Sequence, residues 1–361
     1  MTEQPLRETS AGKPAIEISG VWKIFGDQWK QALQEIRERG ISKKDVLEHH
    51  GCVVGVADVS FDVGHGEIFC VMGLSGSGKS TLVRHINRLL EPSDGQILVN
   101  GQDVMALPQQ ELQAFRNKHI AMVFQNFALM PHRSVLDNIA LPLEIRGISK
   151  NQRVEVAEKC LGLVELNGWG NRFAHELSGG MQQRVGLARA LAADPEVLLM
   201  DEPFSALDPL IRRQLQNEFM GLAAQMRKTT VFITHDLDEA VRIGDRIAIM
   251  RDGRIVQIGT PEQIVMNPAD GYVADFVAGI SRLKVVRAHA VMQKIADFES
   301  QNSTLGEDVA QFAEDVDLST LITQAISTDK PIAITDEKGT RVGVVTRADL
   351  LKTVIEGTET S

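Results

Sequence analysis

The chain has 361 residues, 43% of them hydrophobic, and a formal net charge of -10. That length predicts two or three structural units, with enough apolar content for packed cores. The acidic balance argues against a general nucleic-acid binder, whose phosphate contacts need basic surface, and no apolar run reaches the roughly 20 residues of a membrane span.

Residues 1–14 are polar and mixed in charge, which predicts disorder and no signal peptide. Ile16-Glu17-Ile18 and Val21-Trp22-Lys23-Ile24-Phe25 alternate as a strand does. A charged segment follows, in which Trp29, Leu33 and Ile36 fall at helical spacing and Gly40 could end the helix. Residues 53–63 return to strand-like alternation, and Ile68-Phe69-Cys70-Val71-Met72 reads as a buried strand. Gln96-Ile97-Leu98-Val99 before Asn100-Gly101 is a hairpin signal. A short apolar run at 120–124 enters a loop at Gln125, and residues 134–193 are dominated by helical patterns. The runs 197–200 and 230–233 suit parallel strands covered on both faces. A second hairpin spans 246–258, and residues 331–351 read as a β-β-α unit. Cys52, Cys70 and Cys160 have no pairing or metal spacing, so they serve as small apolar residues in a reducing compartment.

One stretch carries the chemistry: Gly73-Leu74-Ser75-Gly76-Ser77-Gly78-Lys79-Ser80-Thr81 satisfies the phosphate-loop pattern without mismatch. A strand precedes it and a helical pattern follows, so backbone N–H groups and a helix N-terminus would converge on a polyphosphate. Lys79 would reach the β- and γ-phosphates, and the Ser80 hydroxyl would bind Mg²⁺. Strand residues 197–200 end in Asp201-Glu202. This spacing puts Asp201 beside the loop as a Mg²⁺ ligand and Glu202 where it can activate water.

Leu177-Ser178-Gly179-Gly180-Met181-Gln182-Gln183-Arg184 resembles the signature motif of ATP-binding cassette (ABC) ATPases. Gln125, Ser205-Ala206-Leu207-Asp208 and Thr234-His235-Asp236 match that family's remaining motifs in order. The resemblance implies an α/β fold: an ABC-type P-loop NTPase with a RecA-like core, an antiparallel β subdomain and a helical subdomain at about 134–193. It implies ATP and Mg²⁺ as ligands, with Gln125 touching the metal or the attacking water and His235 contacting the γ-phosphate. It also implies a head-to-tail homodimer, in which Ser178 and Gly180 complete the partner's nucleotide site while Gly179 allows close backbone approach, and it places Asp208 among the nucleotide-binding residues. Phe25 best fits the family's adenine-stacking aromatic, with Trp22 as competitor.

The insertion at 27–52, above all Arg39-Gly40-Ile41-Ser42-Lys43-Lys44-Asp45-Val46-Leu47, resembles the extra helical segment of quaternary-amine importer ATPases. Their solutes include glycine betaine, proline betaine, choline and trimethylamine N-oxide. The resemblance implies a motor subunit on the cytoplasmic face of the bacterial inner membrane, driving permease subunits fed by an extracytoplasmic binding protein. The alternative is a soluble ABC ATPase acting on DNA or ribosomes. An ATPase domain at 15–280 would then precede a small α+β domain at 281–361. Residues 331–351 of that domain resemble one CBS (cystathionine-β-synthase-like) repeat, and 283–325 show no clear first repeat. There Thr346-Arg347-Ala348-Asp349 is either a capping box or a ribose contact.

Overall fold

The computed structural model describes residues 12–205, 207–301, 305–306, 309–336 and 338–356. The expected N-terminal disorder lies outside the described residues as far as residue 11. Two compact units meet in the chain between Ile258 and Gly259. The sequence expectation drew its boundary after residue 280, because the motif pattern, rather than packing, was what could be read there.

The larger unit begins with β1 (Ile16–Phe25), α1 (Trp29–Arg39), α2 (Lys43–His50) and β2 (Val53–Val63). Helix α1 stops at Gly40, whose φ of 65° is the left-handed conformation that favours glycine. Helix α2 is fixed at its start by a capping box: the Ser42 side chain accepts from the Asp45 N–H, and the Asp45 carboxylate accepts from the Ser42 N–H. The two helices bury Ala32, Leu33 and Val46 against Trp22, Ile24, Cys52, Val54 and Ala57 in a small core of their own.

Next come β3 (Ile68–Met72), α3 (Lys79–Ile86), β4 (Asp94–Val99), β5 (Gln102–Asp103), α4 (Gln109–His119) and β6 (Ile120–Val123). Strands β4 and β5 join through Asn100 (φ 52°) and Gly101 (φ 75°), the two positive angles that a tight hairpin needs. A helical segment then runs through α5 (Val135–Ile145), α6 (Lys150–Leu163) and α7 (Gly179–Ala192). The unit closes with β7 (Val197–Asp201), α8 (Pro209–Met226), β8 (Thr229–Thr234), α9 (Leu237–Ile243), β9 (Arg246–Arg251) and β10 (Arg254–Gly259).

Two sheets result. The first has the order β2-β1-β4-β5, with β1 antiparallel to both neighbours. The second has the order β10-β9-β3-β8-β7-β6, and β9, β3, β8, β7 and β6 run parallel. Every residue of β3, β7 and β8 is buried. That is why these strands read as unbroken apolar runs, since helices cover both faces of a parallel sheet. Phe69, Val71, Leu199, Val231 and Ile233 share one core with Val56, Val59 and Val63 of the antiparallel sheet.

The smaller unit contains α10 (Pro261–Met266), α11 (Gly271–Val277), α12 (Arg282–Val285) and α13 (Ala288–Val291). It continues with β11 (Gln293–Lys294), α14 (Ile295–Gln301), β12 (Gln311–Ala313), α15 (Leu318–Ser327), β13 (Ile332–Thr335), β14 (Arg341–Val345) and α16 (Arg347–Glu356). Its sheet order is β11-β14-β13-β12, with β12 parallel to β13 and β13 antiparallel to β14. Leu318, Leu321, Ile332, Ile334, Val345 and Leu350 form its core. Both oxygens of Asp349 are engaged: one accepts from the Thr346 N–H at 2.8 Å and hydroxyl at 2.6 Å, the other from Gln293 at 2.8 Å. That is a capping box at the start of α16.

Candidate nucleotide site

The phosphate-loop residues 73–81 link the C-terminal end of β3 to the first turn of α3. Gly73 and Gly78 have φ of 153° and 101°, and a Cβ would overlap the Met250 carbonyl at the first and the Gly55 carbonyl at the second. The loop is therefore pressed between β2 and the β9–β10 turn, where only glycine lets backbones come so close. Gly76 is also left-handed, at φ 81°, and its missing Cβ faces open space. Leu74 is 58% exposed, whereas Ser77 is buried and its Oγ has no hydrogen-bond partner among the described residues.

Lys79 is buried, and its ammonium donates to the Gly73 carbonyl at 2.8 Å and the Leu74 carbonyl at 3.2 Å. The Glu202 carboxylate lies 3.7 Å away. Burial holds this lysine below its ordinary pKa, and the charges of Glu202 and Asp201 oppose that shift. Ser80 Oγ donates to one oxygen of Asp201 at 2.7 Å, and Arg84 donates to the other at 3.1 Å.

Glu202 follows β7 with φ of 45°, an uncommon backbone state for a non-glycine residue. Its N–H donates to the Ile233 carbonyl of β8 at 3.0 Å, and its carboxylate lies 3.0 Å from His235 Nδ1. Two adjacent parallel strands thus deliver Glu202 and His235 to one point. The Gln125 amide reaches Ser205 Oγ at 3.4 Å, and that hydroxyl donates to the Glu202 carbonyl at 3.0 Å. Gln125, Glu202, His235, Lys79, Ser80 and Asp201 therefore gather at the C-terminal edge of the parallel sheet, the usual ligand position in such folds.

Other expected residues stand apart from that cluster. Ser178 caps α7 by accepting from the Met181 N–H, and Asp208 caps α8 by accepting from the Ile211 N–H. A Cβ on Gly180 would lie 2.8 Å from the Ile211 side chain, and one on Gly179 would lie 3.8 Å from Phe127. Among the described residues, no hydrogen bond or ion pair joins residues 178–180 to residues 73–81. Phe25 is 40% exposed, while Trp22 is 5% exposed and packed in the insertion core.

Two residues escaped the sequence reading. Arg84 lies four positions after Ser80, so one helix face carries both toward Asp201. Arg212 lies four positions after Asp208. It donates to the carbonyls of Phe204 at 3.2 Å and Leu207 at 3.1 Å and pairs with Asp236 at 3.4 Å. Helical spacing from a motif residue was the available signal in both cases.

The family model described as ABC transporter matches residues 56–205. The trimethylamine N-oxide transport system ATP-binding protein TmoW of Pelagibacter ubique is 45% identical over 346 residues, covering 94% of this chain and 97% of the relative. The chain belongs to the ABC transporter family. It is an ATP-binding ATPase cassette of that family. The glycine betaine transport ATP-binding protein OpuAA of Bacillus subtilis is 52% identical over 279 residues, covering 77% of this cassette chain but 66% of the relative. This chain therefore spans about two thirds of OpuAA. A dimeric structure of the ATP-binding cassette MJ0796 bound to ADP and Pi, a post-hydrolysis state, matches with a TM-score of 0.58 at 30% identity, covering 68% of this chain and 98% of that one. These relatives do not favour a soluble cassette acting on DNA or ribosomes. Among the described residues, no helix is long and apolar enough to cross a membrane.

Proposed function

We propose that this chain is the ATP-hydrolysing motor subunit of an importer for methylated-amine solutes of the betaine, choline or trimethylamine N-oxide kind. Its permease partner would lie in the bacterial inner membrane, with the cassette on the cytoplasmic face and an extracytoplasmic binding protein supplying the solute. The observation that carries this reading is the meeting of Lys79, Ser80, Asp201, Glu202 and His235 at one sheet edge. The near full-length likeness to a trimethylamine N-oxide transport subunit supports the solute class.

The residues present fit ATP and Mg²⁺. Gly73 and Gly78 form a cradle that a Cβ would fill, and the orphaned Ser77 hydroxyl lies within it. Residues 74–81 offer backbone N–H groups to phosphate oxygens, and the Lys79 ammonium exchanges its loop carbonyls for the β- and γ-phosphates. Ser80 and Asp201 supply the hard oxygen ligands that Mg²⁺ prefers, with Gln125 as a third. The metal would neutralise charge on the phosphate oxygens. Glu202 accepts a proton from the attacking water, and His235, beside it, keeps that carboxylate turned toward the γ-phosphate. The exposed Phe25 ring would stack on adenine, and the burial of Trp22 supports that choice over its competitor.

Ser178, Gly179, Gly180 and Asp208 serve the nucleotide site of a second copy in a head-to-tail homodimer. That the first three make no bond to this chain's own phosphate loop is consistent with such a role. The strand and helix order β12-α15-β13-β14-α16 supports reading the smaller unit as a CBS-like regulatory domain.

The test is Glu202→Gln in the assembled transporter. ATP turnover and solute uptake should stop while ATP-bound dimers accumulate on a sizing column. Turnover at the original rate would overturn the role of Glu202. Failure of the partner binding protein to take any methylated amine would overturn the solute class.

A further inference from the structure

The helical insertion has no assigned chemistry, yet its second helix reaches the nucleotide site. Lys43 is the first residue of α2, and the Ser42–Asp45 capping box fixes the backbone there. Its ammonium donates to the Val54 carbonyl at 3.2 Å and lies 3.2 Å from the position a Cβ on Gly253 would take. Both neighbours belong to the walls of the phosphate loop. Gly253 donates its N–H to the Ser77 carbonyl at 2.9 Å and accepts from the Ala57 N–H at 2.8 Å. Gly55, next to Val54, has its carbonyl against Gly78 and Gly253.

Gly55 also meets the aromatic platform. A Cβ there would stand 2.7 Å from Cε2 of Phe25, so the ring rests on bare backbone. One short run of β2 therefore touches the Phe25 ring on one side and the phosphate loop on another. We propose that the insertion positions the nucleotide site, with Lys43 acting as a brace that holds the Val54–Gly55 run and the Gly253 turn together. Burial keeps Lys43 below its ordinary pKa, opposed by Asp252 and reinforced by Arg254. A partly desolvated ammonium makes a stronger bond to a carbonyl than an exposed one does. Lys43 is a positioning residue: it acts on nucleotide through backbone that others present. The part of this inference that concerns Phe25 rests on that ring being the adenine platform.

The experiment measures equilibrium binding of ATP and Mg²⁺ to the full chain by calorimetry, for Lys43→Met, Phe25→Ala and the double variant. Lys43→Met should weaken ATP binding about five-fold, the worth of roughly one ordinary hydrogen bond, because the brace acts on nucleotide only through the backbone it holds. In the Phe25→Ala background the same change should cost about two-fold or less, because the ring no longer needs its seat. Original ATP affinity in Lys43→Met, beside a weakened Phe25→Ala, would overturn the brace and leave the platform standing. Unchanged affinity in Phe25→Ala beside a weakened Lys43→Met would remove the platform and leave the brace acting through the phosphate loop. Equal losses in both backgrounds would overturn the link to the ring. Should Lys43→Met fail to fold, Ser42→Ala loosens the start of α2 instead. It should weaken ATP binding in the same direction, and unchanged affinity there would overturn the proposal.

Discussion

Arg84 and Ser80 hold the two oxygens of Asp201 from one face of helix α3, at 3.1 Å and 2.7 Å. Asp201 is buried while Arg84 is about half exposed, so the carboxylate is oriented from the solvent side by a group that can be removed without opening the core. In Arg84→Gln, the Mg²⁺ concentration for half-maximal ATPase activity should rise about five-fold. Partners of metal ligands often cost more than that, but solvent screens an exposed guanidinium. Metal-free nucleotide binding should stay as it was. A magnesium titration of ATPase rate and of nucleotide binding checks both.

Arg212 fastens the segment after Glu202 to the segment after His235. Its guanidinium bonds the Phe204 and Leu207 carbonyls and pairs with Asp236. Arg212→Ala should slow ATP turnover by about ten-fold while leaving ATP affinity within about two-fold, since it disturbs the placing of Glu202 and Asp208 rather than the phosphate loop. Turnover and binding measured side by side separate the two effects.

His85 is buried on α3; its Nδ1 donates to the Leu90 carbonyl, and its Nε2 has no partner among the described residues. Burial pushes its pKa down to about 4, against some support from the Leu90 carbonyl. The native state thus binds fewer protons at His85 than the unfolded chain between about pH 4 and pH 6.5, so the His85 contribution to stability is level above about pH 6.5 and turns unfavourable as the pH drops. The loss should reach about 2 kcal/mol by pH 5. Urea unfolding from pH 7 to pH 5 measures it, and His85→Gln should flatten the slope.

His289 in the smaller unit behaves in the opposite sense. Its Nε2 lies 2.7 Å from Glu262, and its Nδ1 donates to the Glu314 carbonyl at 3.1 Å. The hydrogen bond to Glu262 is the chief reason its pKa is raised, with burial opposing. Its contribution is complete below about pH 6.5 and is lost as the pH climbs through the raised value. The smaller unit should therefore melt at lower temperature at pH 8 than at pH 6, by less than about 1 kcal/mol in stability because the ring is partly exposed. Glu262→Gln should remove most of the difference, and NMR titration of the imidazole reports the pKa directly.

Most of the site was legible because its motifs are local. Residues 73–81 carry loop, lysine and hydroxyl in consecutive positions, and a strand ending in Asp201-Glu202 announces its own carboxylates. The parallel strands were legible for a related reason: burial on both faces leaves an unbroken apolar run. The smaller unit was harder to read. Strands as short as β11 and β12, with two and three residues, leave no periodicity to count.

What the sequence determined by itself was the ATP-binding cassette and its ATPase class, since the phosphate loop and the family's other motifs are particular residue types at fixed short spacings. What only the tertiary structure decided was which side chains meet those motifs from a distance. Arg84 and Asp201 are 117 positions apart, and Gly253 meets Lys43 and Ser77 only where β9 turns into β10. The different exposure of Phe25 and Trp22 also waited on packing: the two lie on one strand, but Trp22 is buried with the insertion helices while Phe25 is at the surface. Such pairings depend on how sheets and helices stack, and no spacing along the chain records that.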